Sequence, residues 1–283
     1  MEQLLSHLNL TIKNTSPVHG GDINKAYKIA AKEGDFFIKT NNRNKYPGLF
    51  EKEANGLKTL GDSGGLPVPE VIQTGEFNDT QYLLLEWLET ANTTPEMREA
   101  FGTRLAQLHK TTQENFGFYE DNYLGTYLQN NTAYSAWSEF YANCRVLPLI
   151  KLIYDQNKIN RNIIAAADNF SKELNNIFPI EQPSLLHGDL WSGNFLSAKN
   201  NETYLIDPAV YYGHREMDIG MSRLFGGFST QFYESYNDAY PLEKNWEERL
   251  LYTQLYPLLF HAYAFGGHYI ESVKNILNPF SKH

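Results

Sequence analysis

The 283-residue chain holds one cysteine, Cys144, so it cannot close an intramolecular disulfide and has no thiol pair for zinc or redox chemistry. Its eight histidines are scattered and no HExxH occurs, which argues against a structural zinc site. Long apolar runs are missing too. The longest, around Tyr82–Leu85 and Leu255–Phe260, fall far short of the ~18–20 residues that span a bilayer, so no membrane association is expected. Positive charge is scarce: 24 Lys and Arg face 33 Asp and Glu, a net charge of −9, and no Lys/Arg run exceeds two residues. The phosphate-binding footprint that nucleic acid requires is therefore missing. No G-x-x-x-x-G-K-[ST] loop and no G-x-S-x-G elbow occurs, so P-loop kinases and α/β-hydrolases are disfavoured, and Ser192 in Trp-Ser-Gly reads as a loop cap. The amino-terminal Met1-Glu2-Gln3-Leu4 lacks the basic and apolar regions of a signal peptide, which predicts a cytoplasmic protein.

What is present is a globular composition: 42% apolar and 20% charged, with 20 Gly and 12 Pro. At ~150 residues per domain the length suggests roughly two lobes. Ala26-Tyr27-Lys28-Ile29-Ala30, the turn Glu33-Gly34-Asp35 and Phe36-Phe37-Ile38-Lys39 read as an antiparallel hairpin. Phe50, Ala54, Leu57 and Leu60 then recur at helical spacing, with Gly61 as the stop. Val71–Thr74 and Tyr82–Glu86 read as two strands around Phe77-Asn78-Asp79. From Thr93 onward helices dominate: one starting at Thr94-Pro95-Glu96, then Tyr134–Lys151, Ile159–Ile177 and a long aromatic-rich one over Asn245–His268. Cys144 falls on a core helix face. The expected architecture is α+β, a small sheet with one helix over residues 1–88 and a mainly helical lobe over 89–283, with a hinge near Trp87–Thr93.

Pro183–Pro208 interrupts the helical part with short apolar pieces set among Gly, Asn and Asp. Within it, Leu186-His187-Gly188-Asp189-Leu190-Trp191-Ser192-Gly193-Asn194-Phe195 is followed by Tyr204-Leu205-Ile206-Asp207-Pro208. Asp and Asn in loops most often cap turns. Here the H-G-D-x-x-x-x-N run and the downstream Asp repeat the spacing of kinase catalytic and metal loops. Asp189 would orient and deprotonate a hydroxyl nucleophile, and Asn194 and Asp207 would hold Mg²⁺ against nucleotide phosphates. Lys39 closes an apolar strand and Glu53 lies on the following helix, the order in which kinases place a phosphate-binding ammonium and its carboxylate partner. Gly20 and Gly21, in Pro17-Val18-His19-Gly20-Gly21-Asp22, form a turn whose amides could approach phosphates. Asp218, in Glu216-Met217-Asp218-Ile219-Gly220, would accept backbone N–H bonds beneath the catalytic loop.

These segments, together with Gly20-Gly21-Asp22-Ile23-Asn24-Lys25-Ala26-Tyr27, Phe50-Glu51-Lys52-Glu53-Ala54-Asn55-Gly56-Leu57, Leu105-Ala106-Gln107-Leu108-His109, Phe116-Gly117-Phe118 and Trp137-Ser138-Glu139-Phe140, resemble the fructosamine/ketosamine kinases over nearly the whole chain. That family is a branch of the protein-kinase-like fold near the aminoglycoside and choline kinases, and Trp191-Ser192-Gly193 is the most specific match. The resemblance implies ATP- and Mg²⁺-dependent phosphorylation of the 3-hydroxyl of a ketosamine, on a free amine or a glycated protein, leading to deglycation. It implies that Lys39 and Glu53 form the nucleotide-phosphate pair and that the backbone of Glu86, Trp87 and Leu88 meets the adenine. It places His187 and Trp191 beside the sugar. Where some family members carry a Cys in the glycine turn this chain has Asp22, so a disulfide-linked dimer through that loop does not carry over. Two alternatives stand beside this reading: a kinase of the same fold acting on an aminoglycoside, choline or sugar, and a silent nucleotide-binding protein. Net acidity suits any cationic substrate, and the presence of all five polar positions argues against silence. No residue pattern speaks to oligomeric state.

Overall fold

The computed structural model describes residues 2–18 and 23–281. After a short helix α1 (Glu2–Leu5) come β1 (Ile12–Val18), β2 (Lys25–Ala31), β3 (Asp35–Asn42), helix α2 (Leu49–Asp62), β4 (Val71–Phe77) and β5 (Thr80–Glu86). The five strands form one antiparallel sheet in the order β1-β2-β3-β5-β4, with Lys39 of β3 opposite Ala26 and Leu83. Strand alternation decides what each face receives. Ile38 joins Ile29, Tyr82, Leu84 and the amino-terminal Leu4 and Leu8 in one small core. Phe37 packs on the other face with Leu83, Leu85 and the α2 residues Leu49, Phe50 and Leu57. Lys39, two residues along from Phe37, therefore points toward α2.

The hairpin and both later strands were legible in the alternation. Gly61 does not end α2, which runs to Asp62; a Cβ at Gly61 would lie 3.1 Å from Val68 Cγ2, so the small residue serves packing there.

The helical part begins with α3 (Pro95–His109), where Thr94 Oγ1 accepts from Met97 N at 3.3 Å and Pro95 occupies the first turn, as the sequence predicts. A hairpin, β6 (Asn122–Leu124) with β7 (Tyr127–Gln129), follows. The expected helix over Tyr134–Lys151 is α4 (Trp137–Phe140), a π-helical turn (Tyr141–Val146) and α5 (Leu147–Asp155). Asn160 caps α6 (Arg161–Ile177). Four short strands then frame the loops of interest: β8 (Ser184–Leu186) pairs with β11 (Tyr211–Gly213), and β9 (Phe195–Ser197) with β10 (Thr203–Leu205). Helices α7 (Glu216–Leu224) and α8 (Thr230–Ala239) lie where the sequence showed no clear period. Phe232 of α8 stacks on Phe101 of α3 at 4.9 Å between centroids, which fixes these two helices together. The single long helix expected over Asn245–His268 is two, α9 (Trp246–Ala264) and α10 (His268–Leu277), because Gly266 and Gly267 take φ of +71° and +60° and reverse the chain. Cys144 is buried, its thiol pushed up by that burial. Among the described residues no helix is long and apolar enough to cross a membrane.

Candidate active site

The loop after β8 is held from below. Asp218 Oδ2 accepts from His187 N at 2.7 Å and Oδ1 from Gly188 N at 3.0 Å, so one buried carboxylate fixes two successive amides. Asp218 is itself met by His109 Nε2 at 3.3 Å, and His109 Nδ1 by Tyr236 OH at 2.8 Å. Gly188 sits at φ +82°, and a Cβ there would come within 2.0 Å of Ala209 O, so only glycine fits this turn. His187 is fully buried. Its Nδ1 accepts from Asp189 N at 3.2 Å and its Nε2 donates to Ile206 O at 2.9 Å. Burial lowers its pKa, which favours the neutral ring, and the two hydrogen bonds fix its tautomer. The ring expected beside the sugar is thus spent on tying the Asp189 loop to the segment before Asp207. Asn194 O, accepting from Ile206 N at 3.1 Å, adds a second tie.

Five polar side chains from distant parts of the sequence meet here. Lys39 Nζ donates to Glu53 Oε1 at 2.7 Å and, across a gap of 168 residues, to Asp207 Oδ1. Burial lowers the Lys39 pKa, but the Asp207 and Glu53 carboxylates outweigh it and the ammonium stays charged. Asn194 Nδ2 donates to both Asp189 O and Asp189 Oδ2 at 2.9 Å. Burial pushes the Asp189 carboxyl up to about 7; the Asn194 bond opposes this, and the Asp207 and Asp218 carboxylates add to it. Asp207 takes φ +54°, a left-handed conformation that is uncommon outside glycine and here turns its carboxylate back toward Lys39.

A network the sequence did not signal locks α2 onto this assembly. Glu120, just before β6, accepts from Lys52 Nζ at 3.1 Å and Asn55 Nδ2 at 2.8 Å, two residues on one face of α2 that lie either side of Glu53 in the chain. Tyr123 OH donates to Pro47 O at 3.2 Å. From the same hairpin, Asn122 Nδ2 donates to Val210 O at 2.7 Å and Gln129 Nε2 to Ala209 O at 3.0 Å, gripping the chain just after Asp207. Asn131 joins Asn122 to Arg145, whose Nη2 donates to Asn131 Oδ1 at 2.6 Å. Gly56 completes the contact: its face of α2 lies so close that a Cβ would sit 3.2 Å from Val210 Cγ2. Apart from Tyr123 and Gly56, the side chains that make these contacts are amides or charges of the kind usually found at the surface, and only the fold brings them together.

The remaining candidates divide. Gly20 and Gly21, with Asp22, lie outside the described residues. At the linker, Glu86 N donates to Glu70 O at 3.0 Å and Trp87 N to Asp35 O at 3.3 Å, leaving Leu88 N as the amide of the three with no bond among the described residues. The linker is tied along the β9–β10 hairpin by Ala91 N to Ser197 O and Lys199 N to Glu89 O, both 2.8 Å. Trp191 is 37% exposed beside Asp189.

The fructosamine kinase family matches residues 2–282. A protein of Enterococcus faecium named for ketoamine kinase activity is 39% identical over 282 residues, covering 99% of both chains. The chloroplastic protein-ribulosamine 3-kinase of Arabidopsis thaliana is 36% identical over 275 residues, 95% of this chain and 83% of that one. A solved structure from Haemophilus somnus named for fructosamine-3-kinase superposes with a TM-score of 0.88 at 30% identity, over 99% of this chain and 96% of the other. A spectinomycin phosphotransferase, at 18% identity and a TM-score of 0.61 over 99% of this chain and 92% of the other, shares the fold.

Proposed function

The chain belongs to the fructosamine kinase family and is a phosphotransferase acting on a ketosamine hydroxyl, and we propose that Asp189, Lys39, Glu53, Asn194 and Asp207 carry the transfer from ATP to the 3-hydroxyl. The observation that supports this most directly is Lys39 bonded at once to Glu53 and Asp207. Residues 1–88 would hold the nucleotide, with Leu88 N facing the adenine and Lys39 on the phosphates. Asp189 would take the proton of the 3-hydroxyl as its oxygen bonds the γ-phosphorus and the bond to ADP breaks. Glu53 holds the Lys39 ammonium at the height of the phosphates, and Asp218 holds the loop that aims Asp189. The phosphorylated adduct then decomposes and frees the amine, which is deglycation.

The donor set suits Mg²⁺. Asn194 spends its Nδ2 on Asp189, which leaves Oδ1 available, and Asp207 keeps Oδ2 beyond its bond to Lys39. Mg²⁺ characteristically takes one or two protein oxygens and completes its shell with phosphate and water, so the lack of a larger acidic cluster among the described residues fits. When bound it would neutralise charge on the phosphates.

Purified protein with ATP and Mg²⁺ should release ADP with a ribulosamine or fructosamine and not with kanamycin or choline. ADP release with either of the latter, and none with the ketosamines, would overturn the reading. Because Asp189 must be ionised to act and its carboxyl is pushed up to about 7, kcat/KM should fall about tenfold per pH unit below that value and level off above it. A profile flat from pH 5 to 9 would remove Asp189 from the base role. Glu120→Ala frees α2 and hence Glu53. It should raise the KM for ATP about three- to tenfold while the ketosamine KM stays constant, the size expected for losing a partly buried, doubly bonded carboxylate.

A further inference from the structure

The segment that carries Asp207 is pinned on both sides and strained between the pins. On the amino side Ile206 N donates to Asn194 O at 3.1 Å and Ile206 O accepts from His187 Nε2 at 2.9 Å. On the carboxyl side Ala209 N donates to His187 O at 2.9 Å, Ala209 O accepts from Gln129 Nε2 at 3.0 Å, and Val210 O accepts from Asn122 Nδ2 at 2.7 Å. Only Asp207 and Pro208 lie between, and the proline ring fixes its own φ. Asp207 therefore absorbs the turn, at φ +54°. That conformation runs against two preferences at once, the scarcity of left-handed backbone outside glycine and the extended bias of a residue before proline. Strain of this kind persists only where the surroundings hold it.

The amino-side pin belongs to the loop around Asp189, whereas two of the three carboxyl-side bonds come from the β6–β7 hairpin. Gln129 is fully buried and Asn122 nearly so. Gln129 Nε2 spends both hydrogens, on Ala209 O and on Asn122 Oδ1 at 2.6 Å, and its Oε1 accepts from Tyr256 OH at 2.7 Å. The direction of these bonds is set farther back. Arg145 is wholly buried, and its guanidinium, which can only donate, gives Nη2 to Asn131 Oδ1 at 2.6 Å. Asn131 must then present Nδ2, which donates to Asn122 Oδ1 at 3.0 Å, and Asn122 in turn presents Nδ2 to Val210 O. Among the described residues no carboxylate pairs with Arg145, and the ring faces of Phe140, Tyr211 and Tyr256 cover it instead. A buried cation without an acid is costly, and no step of the transfer uses this one. What it orders is the polarity of the amides that end on Ala209 and Val210.

We propose that Gln129 and Asn122, with their polarity set by Arg145 through Asn131, are positioning residues that keep Asp207 in its left-handed conformation and so hold its carboxylate ready for Mg²⁺. The inference rests on the kinase reading above and deepens it, since it assigns the conformation of a metal ligand to buried amides of a different element.

Calorimetric binding of the non-hydrolysable ATP analogue AMP-PNP, once with excess Mg²⁺ and once in EDTA, separates the metal from the other nucleotide contacts. Gln129→Met keeps the length of the side chain and loses its donor. It should cut the tightening that Mg²⁺ brings about tenfold, the lower end of what losing the partner of a metal ligand costs, while the Kd in EDTA stays within about twofold of wild type. Should that variant not fold, Asn122→Ser, which leaves the Gln129 bond to Ala209 O in place, carries the same test with an expected loss of about threefold, the size of one ordinary hydrogen bond. An undiminished Mg²⁺ effect in a folded variant, or an equal rise of Kd with and without the metal, would overturn the positioning role and leave the kinase reading standing. A wild-type Kd that Mg²⁺ does not improve would overturn it as well, by taking the metal away from Asp207. Wild-type protein that binds no AMP-PNP under either condition would overturn the kinase reading and the positioning role with it.

Discussion

Asp189→Asn should lower turnover at least about 10²-fold, within the usual contribution of a general base, and leave ATP affinity within about twofold of wild type. The amide keeps the shape of the carboxylate and can still accept from Asn194 Nδ2, now at 2.9 Å from Asp189 Oδ2, so the loop geometry survives while the proton acceptor is lost. The same variant should be more stable than wild type. An unfolded Asp ionises near pH 4, whereas the folded carboxyl is pushed up to about 7 by burial and its acidic neighbours. Between those values the folded state holds a proton that the unfolded state has released, so stability falls as pH rises through this window and stays reduced above it. An amide removes that penalty. Thermal unfolding should therefore show a gain over wild type at pH 8 that vanishes by pH 4, together with the loss of ADP release in single-turnover assays. A variant within tenfold of wild-type turnover would take Asp189 out of the mechanism; equal melting temperatures at pH 8 would mean that its carboxylate is not penalised by the fold.

Activity and stability oppose one another at Asp189 because the base must be ionised in a place that resists ionisation. Its partners show how far such a site can be read from sequence. The interval from Asp189 to Asn194 is set by a loop that returns within one 3-10 turn, Ser192–Asn194, so the spacing itself encodes the contact. The sequence singles out Asp218 as an acceptor of backbone N–H bonds beneath the loop, but the helix that carries it is not visible there. Lys39 was legible because a lysine that directly follows the apolar run Phe36-Phe37-Ile38 is carried on a strand with buried neighbours, although that strand continues past it to Asn42. His109, Tyr236, Glu120, Asn122, Gln129 and Arg145 were not. Outside the β6–β7 region, the bonds by which His109, Tyr236, Glu120, Asn122 and Gln129 reach the site or one another span 65 to 127 residues, Arg145 reaches Asn130 and Asn131 only across a fold-dependent turn, and no local period distinguishes any of them from surface polar residues. The π-helical turn at Tyr141–Val146 is equally silent, since its residues share the apolar pattern of the α-helices on either side. His187 was assigned to the sugar from its neighbourhood in the chain, but what decides its role is the Ile206 carbonyl, which sequence proximity to Asp189 does not reveal.

Lys39→Met and Asp207→Ala should both reduce turnover, each by about 10²- to 10³-fold or more, as the loss of one charged group facing a transferring phosphoryl does. Their effects on folding should differ. Lys39, Glu53 and Asp207 form a trio with one positive and two negative charges, and their exposures are unequal: the Glu53 side chain is 10% exposed and that of Asp207 44%. Removing Asp207 leaves a matched, buried Lys39–Glu53 pair, so stability should change by less than about 1 kcal/mol. Removing Lys39 leaves Glu53 buried beside a like charge with no cation, which costs about 3 kcal/mol when one partner of a buried pair is deleted. That cost carries a pH signature. Burial already raises the Glu53 pKa, with Lys39 opposing and Asp207 reinforcing; without Lys39 the folded value climbs further above the unfolded one. As pH falls through that raised value Glu53 takes up a proton in the folded protein and the penalty shrinks. Denaturant unfolding of Lys39→Met should thus show a large deficit against wild type at pH 8 and a much smaller one near pH 5, while Asp207→Ala tracks wild type at both. If instead Asp207→Ala loses as much stability as Lys39→Met at pH 8, the buried ammonium depends on both carboxylates, and Lys39 is better described as a structural tie between the sheet and the helical part than as a cation held ready for phosphate.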